Sequence, residues 1–462
     1  MEKNTIQEYV SGLMERAHAA QKQIENYTQA QVDELIAAVA WATVQDARAA
    51  ELSQMALEES GMGDYDAKFG KFKNKVPGVL YDLKYQKSVG VIEELPERGI
   101  VKVAKPVGVV GCLIPSTQPE MTPVVKAMFA IKGRNAAVFS PHPKTAKTTL
   151  KCVEYMREAL EKYGAPKDLL ICAENPNIEM SNEIMRQCDL VVATGGKPMV
   201  KAAYSSGKPA YGVGVGNSVV IVDETADLAD AAKKITISKT FDNASGCSCE
   251  NSLVIKDTIY DDMIAALTKE GAYMCNAEEK QKVQNTLWVN GALNREVITQ
   301  PVAKIAALAG IEIPAGTKYL LVEEVGSGKE YPFSGEKLSL VITVYKYAEI
   351  DDAIKIINAN QAYQGAGHSC GIHSFNEEHI QKVFLNTKTT RVMVRQGMNT
   401  GNSGNWINGM PWTVTLGCGT WGGNVASENI TLKHFINTTW VSKPIEREIP
   451  SMEEIFGDVM NK

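Results

Sequence analysis

Cys247 stands in the stretch TFDNASGCSCENSLVI, behind a polar, glycine-containing turn and directly ahead of a strand-like run. A thiolate so placed is open to a cleft, and backbone N–H groups can approach it from the turn. The chemistry it suits is attack on a carbonyl, which gives a tetrahedral adduct whose oxyanion needs hydrogen-bond donors. By spacing alone Cys249 competes for the role, and a buried structural cysteine is the commoner reading of any single thiol. A second feature is Gly195-Gly196, set between the run LVVAT and a helical segment. A helix N-terminus behind a glycine turn accepts phosphate or pyrophosphate. The pattern is not G-x-G-x-x-G, and glycine turns after strands are common.

The elements that must position these residues read as an α/β chain. The first ~60 residues are helical, with Thr28 and Gln31 spaced as a capping box ahead of the stripe Val32, Leu35, Ile36 and Val39. Gly61-Met62-Gly63 ends this zone. From Ser88 to Val110 two strand-like pieces flank the turn PERG, as in a hairpin or β-arm. Regular alternation of strands and helices then starts near Val107, with strands in VGVVGCLIP, NAAVFSP, DLLICAE, LVVATGG and SVVIVD. Continuous Val/Ile/Leu strands alternating with helices imply a parallel sheet covered on both faces, a doubly wound, Rossmann-like domain that binds nucleotides at its strand ends. A second alternation runs from Asn251 to about Val394. Residues 395–425, rich in Gly, Asn and Thr, form a long connection of the kind that belongs to sites. The run HFINTTWVS is a last strand that could pair with the arm.

Bulk properties exclude several classes. Lys+Arg total 48 against 54 Asp+Glu, with no basic block, so nucleic acid is not expected as a partner. No apolar run reaches the ~20 residues that span a bilayer, and the polar N-terminus lacks an apolar signal core. A cytoplasmic location is expected. Nine scattered cysteines do not suggest a disulfide framework, and the six histidines show no ligand pair, so no metal is expected.

Several stretches together carry a family resemblance: AKPVGVVGCLIPSTQP, AVFSPHPK, VVATGGKPMVKAAYSSGKPAYGVGVGN, FDNASGCSCEN, GAGHSCGIHS and LGCGTWGGNVASENITLKHFIN. In content, order and spacing the chain resembles the CoA-acylating aldehyde dehydrogenases across nearly its whole length. That group includes acylating sulfoacetaldehyde and succinate-semialdehyde dehydrogenases and the aldehyde half of bifunctional aldehyde/alcohol dehydrogenases. The resemblance implies a cofactor domain at 1–87 and 106–240, a catalytic domain at 241–425, and an oligomerisation arm and tail at 88–105 and 426–462. It implies Cys247 as nucleophile, ahead of Cys249. It sets Gly195 and Gly196 under the cofactor pyrophosphate and Ser140, Pro141 and His142 near the adenosine. Glu336 falls at the nicotinamide ribose and His368 close to the nucleophile. The implied cofactor is NAD or NADP, with CoA as co-substrate and a homodimer or dimer of dimers as the assembly.

Two departures and one absence refine the expectation. The turn Pro115-Ser116-Thr117-Gln118-Pro119 has Gln where the family has an Asn whose amide donates to the oxyanion; one extra methylene re-aims that donor by ~1.5 Å. The loop after RVMV opens with Arg395 in place of Asn, which suits a carboxylate or sulfonate tail on the substrate. Where hydrolytic relatives carry Glu-Leu-Gly-Gly, with a Glu that activates water, residues 212–217 read GVGVGN and hold no carboxylate. Thiolysis by CoA is therefore expected over hydrolysis to the free acid. Sulfoacetaldehyde is the first expected substrate, with succinate semialdehyde and acetaldehyde as alternatives. A catalytically silent assembly module is the reading from a different class.

Overall fold

The computed structural model describes residues 3–461. Four helices open it: Lys3–Ile24, Gln29–Val44, Asp46–Ser60 and Tyr65–Lys84. The second starts on the expected capping box, in which Thr28 and Gln31 satisfy each other's backbone N–H groups. The fourth contains Pro77 yet continues through it.

Five parallel strands form the first sheet, in the order Leu170–Cys172, Ala136–Ser140, Val109–Leu113, Leu190–Thr194, Ala210–Val213. In chain order this is 3-2-1-4-5. Strands one and four are neighbours whose following connections leave in opposite directions, so a crevice opens at their carboxyl ends. Pro115–Gln118 follow the first of these strands and Gly195-Gly196 the second. The Rossmann-like expectation holds for this sheet.

Seven parallel strands form the second sheet, in the order Ala272–Met274, Tyr319–Glu323, Val341–Tyr347, Glu250–Lys256, Ser218–Val222, Cys370–His373, Val392–Val394. The expected boundary at residue 240 is corrected by this pairing. Ser218–Val222 bonds to Glu250–Lys256 and Cys370–His373, and Ala231, Ala232 and Ile235 of the helix Leu228–Thr240 pack in one core with Leu253 and Met263. A hydrophobic run shows that a strand is buried, not which sheet it joins. The last boundary shifts too: Ala426, Ile430, Leu432 and Phe435 lie in the core of the five-stranded body, so the detached tail starts later than 426.

The arm is a three-stranded antiparallel sheet. Ile100–Pro106 pairs with Gly90–Leu95 on one side and with Ile436–Ser442 on the other, as the sequence suggested. Trp440 and Val441 on its outer strand are exposed, as are Ile449, Ile455 and Val459 in the segment beyond.

Candidate active site

The carboxyl edge of the five-stranded sheet faces the amino edge of the seven-stranded one, and a cavity of about 300 Å³ fills the crevice. Gln118, His142, Gly195, Gly196, Cys247 and Glu336 line it. The helix Lys197–Tyr204 starts directly after Gly196, and a Cβ built there would meet only Pro198 Cδ, at 3.8 Å. Bare backbone at a helix N-terminus thus faces the cavity, which fits a pyrophosphate. Oε1 of Glu336 accepts the Gly216 N–H at 2.9 Å, and no donor among the described residues meets its other oxygen. That oxygen fits a ribose hydroxyl. Burial raises the Glu336 carboxyl to about 8, against the opposing pull of the Gly216 N–H and Lys337. A nicotinamide dinucleotide therefore fits this crevice, with Gly195 and Gly196 at its phosphates and Glu336 at a ribose.

Cys247 arrives on a strained approach. Asp242, Asn243 and Ala244 all have left-handed φ values, 51°, 49° and 60°. Such a conformation costs roughly 1–2 kcal/mol for an ordinary L-residue, less for Asp and Asn. Asp242 holds the turn: its carboxylate accepts from the Asp64 N–H at 2.9 Å, from the Ser245 hydroxyl at 2.6 Å and from Lys71. Lys68 lies 3.6 Å from it, and Glu120 lies 3.9 Å from both lysines. Two buried cations thus face two buried carboxylates, which ties the helix Tyr65–Lys84 to the turn that leads to Cys247. On the other side Gly216 presses against Cys247. A Cβ at Gly216 would lie 1.8 Å from the Cys247 carbonyl oxygen, so only glycine fits.

His368, fully buried ahead of the strand Cys370–His373, brings Nε2 to 3.3 Å from the Cys247 Sγ. Its Nδ1 meets the Ser369 hydroxyl at 2.9 Å, which meets the Ser218 hydroxyl at 2.9 Å. Burial, with Arg391 adding to it, holds His368 down at about 3, so the ring is neutral at physiological pH. With the hydrogen on Nδ1, the Nε2 lone pair faces the thiol. Burial pushes the Cys247 thiol up to about 12, with Glu336 and Cys418 adding to the rise and Arg391 opposing it. Cys247 therefore rests as a thiol, and forming a thiolate there needs both an acceptor and an added positive charge.

A second cavity, of about 230 Å³, opens from Cys247 and Gln118 in the other direction. Lys71, Asn74, Lys75, Asn399, Ser403 and Asn405 line it. Cys247 and Gln118 border both cavities. The Gln118 side-chain amide borders both cavities and meets no hydrogen-bond partner among the described residues, so it is free to donate at the junction.

The other expected residues distribute unevenly. Of Ser140, Pro141 and His142, only His142 lines the cofactor cavity; Ser140 is buried with its hydroxyl on Ser181 at 2.9 Å, and Pro141 is buried beside it. Cys249 is buried, 3.9 Å from Lys239 Nζ, and borders neither cavity. Arg395 is the clear correction. It follows the strand Val392–Val394 at the carboxyl edge of the seven-stranded sheet, where Nη1 donates to the Ser374 carbonyl at 2.7 Å and the guanidinium lies over Phe375. His368 precedes the neighbouring strand and Ser374 follows it, six residues apart, roughly 20 Å of extended chain. The sequence shows the loop but not the edge of the sheet from which it starts. Its continuation, through Asn399, Ser403 and Asn405, does return to the second cavity. The reading missed Tyr65–Lys84 and its lysines, because Gly70, Pro77 and Gly78 break the helical pattern. The spacing of Lys68, Lys71 and Lys75, at i, i+3 and i+7, is the signal that one helix face carries them.

Two parallel sheets with facing edges, a crevice that fits a dinucleotide and a cysteine on its lining are the parts a nucleotide-dependent enzyme with a thiol nucleophile requires. Residues 3–287 match the model of the aldehyde dehydrogenase family. Similarity extends along the whole chain. A sulfoacetaldehyde dehydrogenase of an Acholeplasma species is 48% identical over 97% of this chain and 94% of its own. An acylating sulfoacetaldehyde dehydrogenase of Bilophila wadsworthia is 45% identical over 98% and 99%. Among solved structures, an acetylating aldehyde dehydrogenase of Geobacillus thermoglucosidasius superposes with a TM-score of 0.93 at 40% identity, covering 97% of this chain and 99% of that one. The chain belongs to the aldehyde dehydrogenase family, and these full-length relatives include its acylating members.

Proposed function

We propose that this chain converts an aldehyde, CoA and NAD(P)+ into acyl-CoA and NAD(P)H, with sulfoacetaldehyde as the first substrate and succinate semialdehyde as the second. The observation that carries the acylating reading is Cys247 at the junction of two cavities whose lining holds one carboxylate, Glu336, already engaged by the Gly216 N–H. The names of the similar proteins support the substrate.

In this reading His368 takes the proton from Cys247 as Sγ adds to the aldehyde carbon, and the Gln118 amide faces the oxyanion so formed. The bound nicotinamide supplies the hydride acceptor and the positive charge that favours the thiolate. Loss of hydride from the carbon as the oxyanion collapses leaves a thioester on Cys247, and His368 passes its proton on to solvent. Residues 212–217 offer no base to a water, so the thioester waits for the CoA thiol, which takes the acyl group and returns the proton to Sγ.

The reading also holds that the enzyme works in the cytoplasm, where thiols stay reduced; all nine cysteines are free. No helix among the described residues is long and apolar enough to cross a membrane. It holds further that the exposed outer strand with Trp440 pairs with a second copy. Light scattering reads the last point, and a monomer at micromolar concentration rejects it. The substrate is tested by assaying acetaldehyde, succinate semialdehyde and sulfoacetaldehyde with CoA and either nucleotide. The anionic aldehydes should lead in kcat/KM; an excess of acetaldehyde over both rejects the assignment.

A further inference from the structure

We infer that Lys75, on the helix Tyr65–Lys84, is the residue that binds the anionic group of the substrate, with the Asn74 amide and the Ser403 hydroxyl beside it. The inference rests on the acylating reading above and names the recognition element that Arg395 does not supply.

The charge around the second cavity points there first. Its lining contains two charged side chains besides the nucleophile, Lys71 and Lys75, and no carboxylate. Lys71 is neutralised by Asp242. Lys75 has no ion pair among the described residues; Nζ donates to the Ser403 carbonyl at 2.7 Å, to the Ser403 hydroxyl at 2.6 Å and to the Gly404 carbonyl at 3.3 Å, all neutral acceptors. The long contact to Gly404 is the one an anionic oxygen would replace, since a charge-assisted bond is both shorter and stronger. The indole of Trp412 backs the ammonium at 4.7 Å from its ring centroid.

Neighbouring donors face the same way. Oδ1 of Asn74 accepts the Trp406 indole N–H at 2.6 Å, which fixes the amide and leaves Nδ2 without a partner among the described residues. The loop packed against Lys75 brings no counter-charge: 396–415 contains no acidic or basic residue, and across the cavity 243–249 adds only the thiols of Cys247 and Cys249. Asp82, on the same helix, is occupied by the Trp412 N–H at 2.8 Å. Burial first, then Lys71, lowers Lys75 to about 7, with Asp82 opposing. A half-buried ammonium with no ion pair gains from any anion that enters.

A sulfonate or carboxylate against Lys75 leaves the aldehyde end of a short chain to reach toward Cys247 and Gln118, which border the same cavity. An uncharged aldehyde gains nothing from the lysine. Lys75 is therefore a specificity residue and acts at the far end of the substrate from the reacting carbon.

The test compares wild type, Lys75→Met and Lys75→Arg with sulfoacetaldehyde, succinate semialdehyde and acetaldehyde, all with CoA. The ratio of kcat/KM for the preferred anion to that for acetaldehyde should fall roughly 10- to 150-fold in Lys75→Met. Lys75→Arg should restore most of it. The wild-type ratio should also fall as pH rises above about 7, where the free ammonium loses its proton, and Lys75→Arg should abolish that fall. If Lys75→Met does not fold, the wild-type pH profile decides. An unchanged ratio in Lys75→Met, or a ratio flat from pH 6 to 9, overturns the inference. An enzyme that oxidises acetaldehyde and neither anion overturns the substrate reading itself, which is a separate failure.

Discussion

Nε2 of His368 lies 3.3 Å from Sγ of Cys247, and a hydroxyl 2.9 Å from Nδ1 fixes the ring from behind. A thiol, an acceptor in reach and a third group that sets the tautomer are the parts that nucleophilic catalysis requires. Replacing His368 with Ala should lower kcat with CoA and aldehyde by about 10²- to 10⁴-fold, the usual contribution of a positioned general base. Steady-state kinetics checks it, and a His368→Ala enzyme within a factor of ~3 of wild type would show that the imidazole only fills space. The same histidine links pH to stability. Its folded-state value of about 3 lies below the unfolded value, so the unfolded chain binds the extra proton as pH falls below ~6.5. Between there and about 3, each pH unit should cost about 1.4 kcal/mol from this group, and His368→Gln should flatten that part of the acid-denaturation curve.

The thiol makes its own pH prediction. With Cys247 pushed up to about 12, the thiolate fraction of the free enzyme grows about tenfold per pH unit through the range 7 to 9. Alkylation by iodoacetamide, followed by mass spectrometry of the peptide containing Cys247, should accelerate in that proportion with no plateau. A plateau below pH 8 would mean that Arg391 or another cation outweighs burial. Cys249, buried and outside both cavities, should stay unmodified in the folded enzyme.

Asp242 joins the strained turn to the lysine-bearing helix. Asp242→Ala removes one member of a buried charge network and leaves Lys68 and Lys71 with Glu120 alone, a loss of about 3–5 kcal/mol for a buried charge left without its partner. Urea unfolding monitored by circular dichroism should show a lower midpoint by that measure. A change below ~1 kcal/mol would place the hold on the turn elsewhere.

Much of this was legible in the sequence because it depends on local pattern. The strand at Val109–Leu113, the glycine turn after Leu190–Thr194 and the capping box at Thr28 each follow from a few neighbouring residues. What the sequence concealed is pairing at a distance. Ser218–Val222 has the same hydrophobic run as the strands of the first sheet, and only its partners Val254 and Ile372 place it in the second. Arg395 suffered the same ambiguity at an edge: its loop borders the site, but the residue itself turns back to Ser374. Lys75 was hidden inside a helix whose Pro77 and glycines obscure the period. Gly78 is there because the Trp412 indole leaves no room for a Cβ, which would lie 2.4 Å away, a reason found 334 residues along the chain.

The central claim is that Cys247 carries an acyl group which only CoA removes at a useful rate. Enzyme mixed with NAD(P)+ and sulfoacetaldehyde, with no CoA, should release about one equivalent of reduced nucleotide per active site and then stall, as an acyl-enzyme accumulates. Adding CoA should restart turnover and yield acyl-CoA. Continuous reduction without CoA, with free acid as the product, would contradict the account, because a water would then be activated by a base that residues 212–217 do not contain.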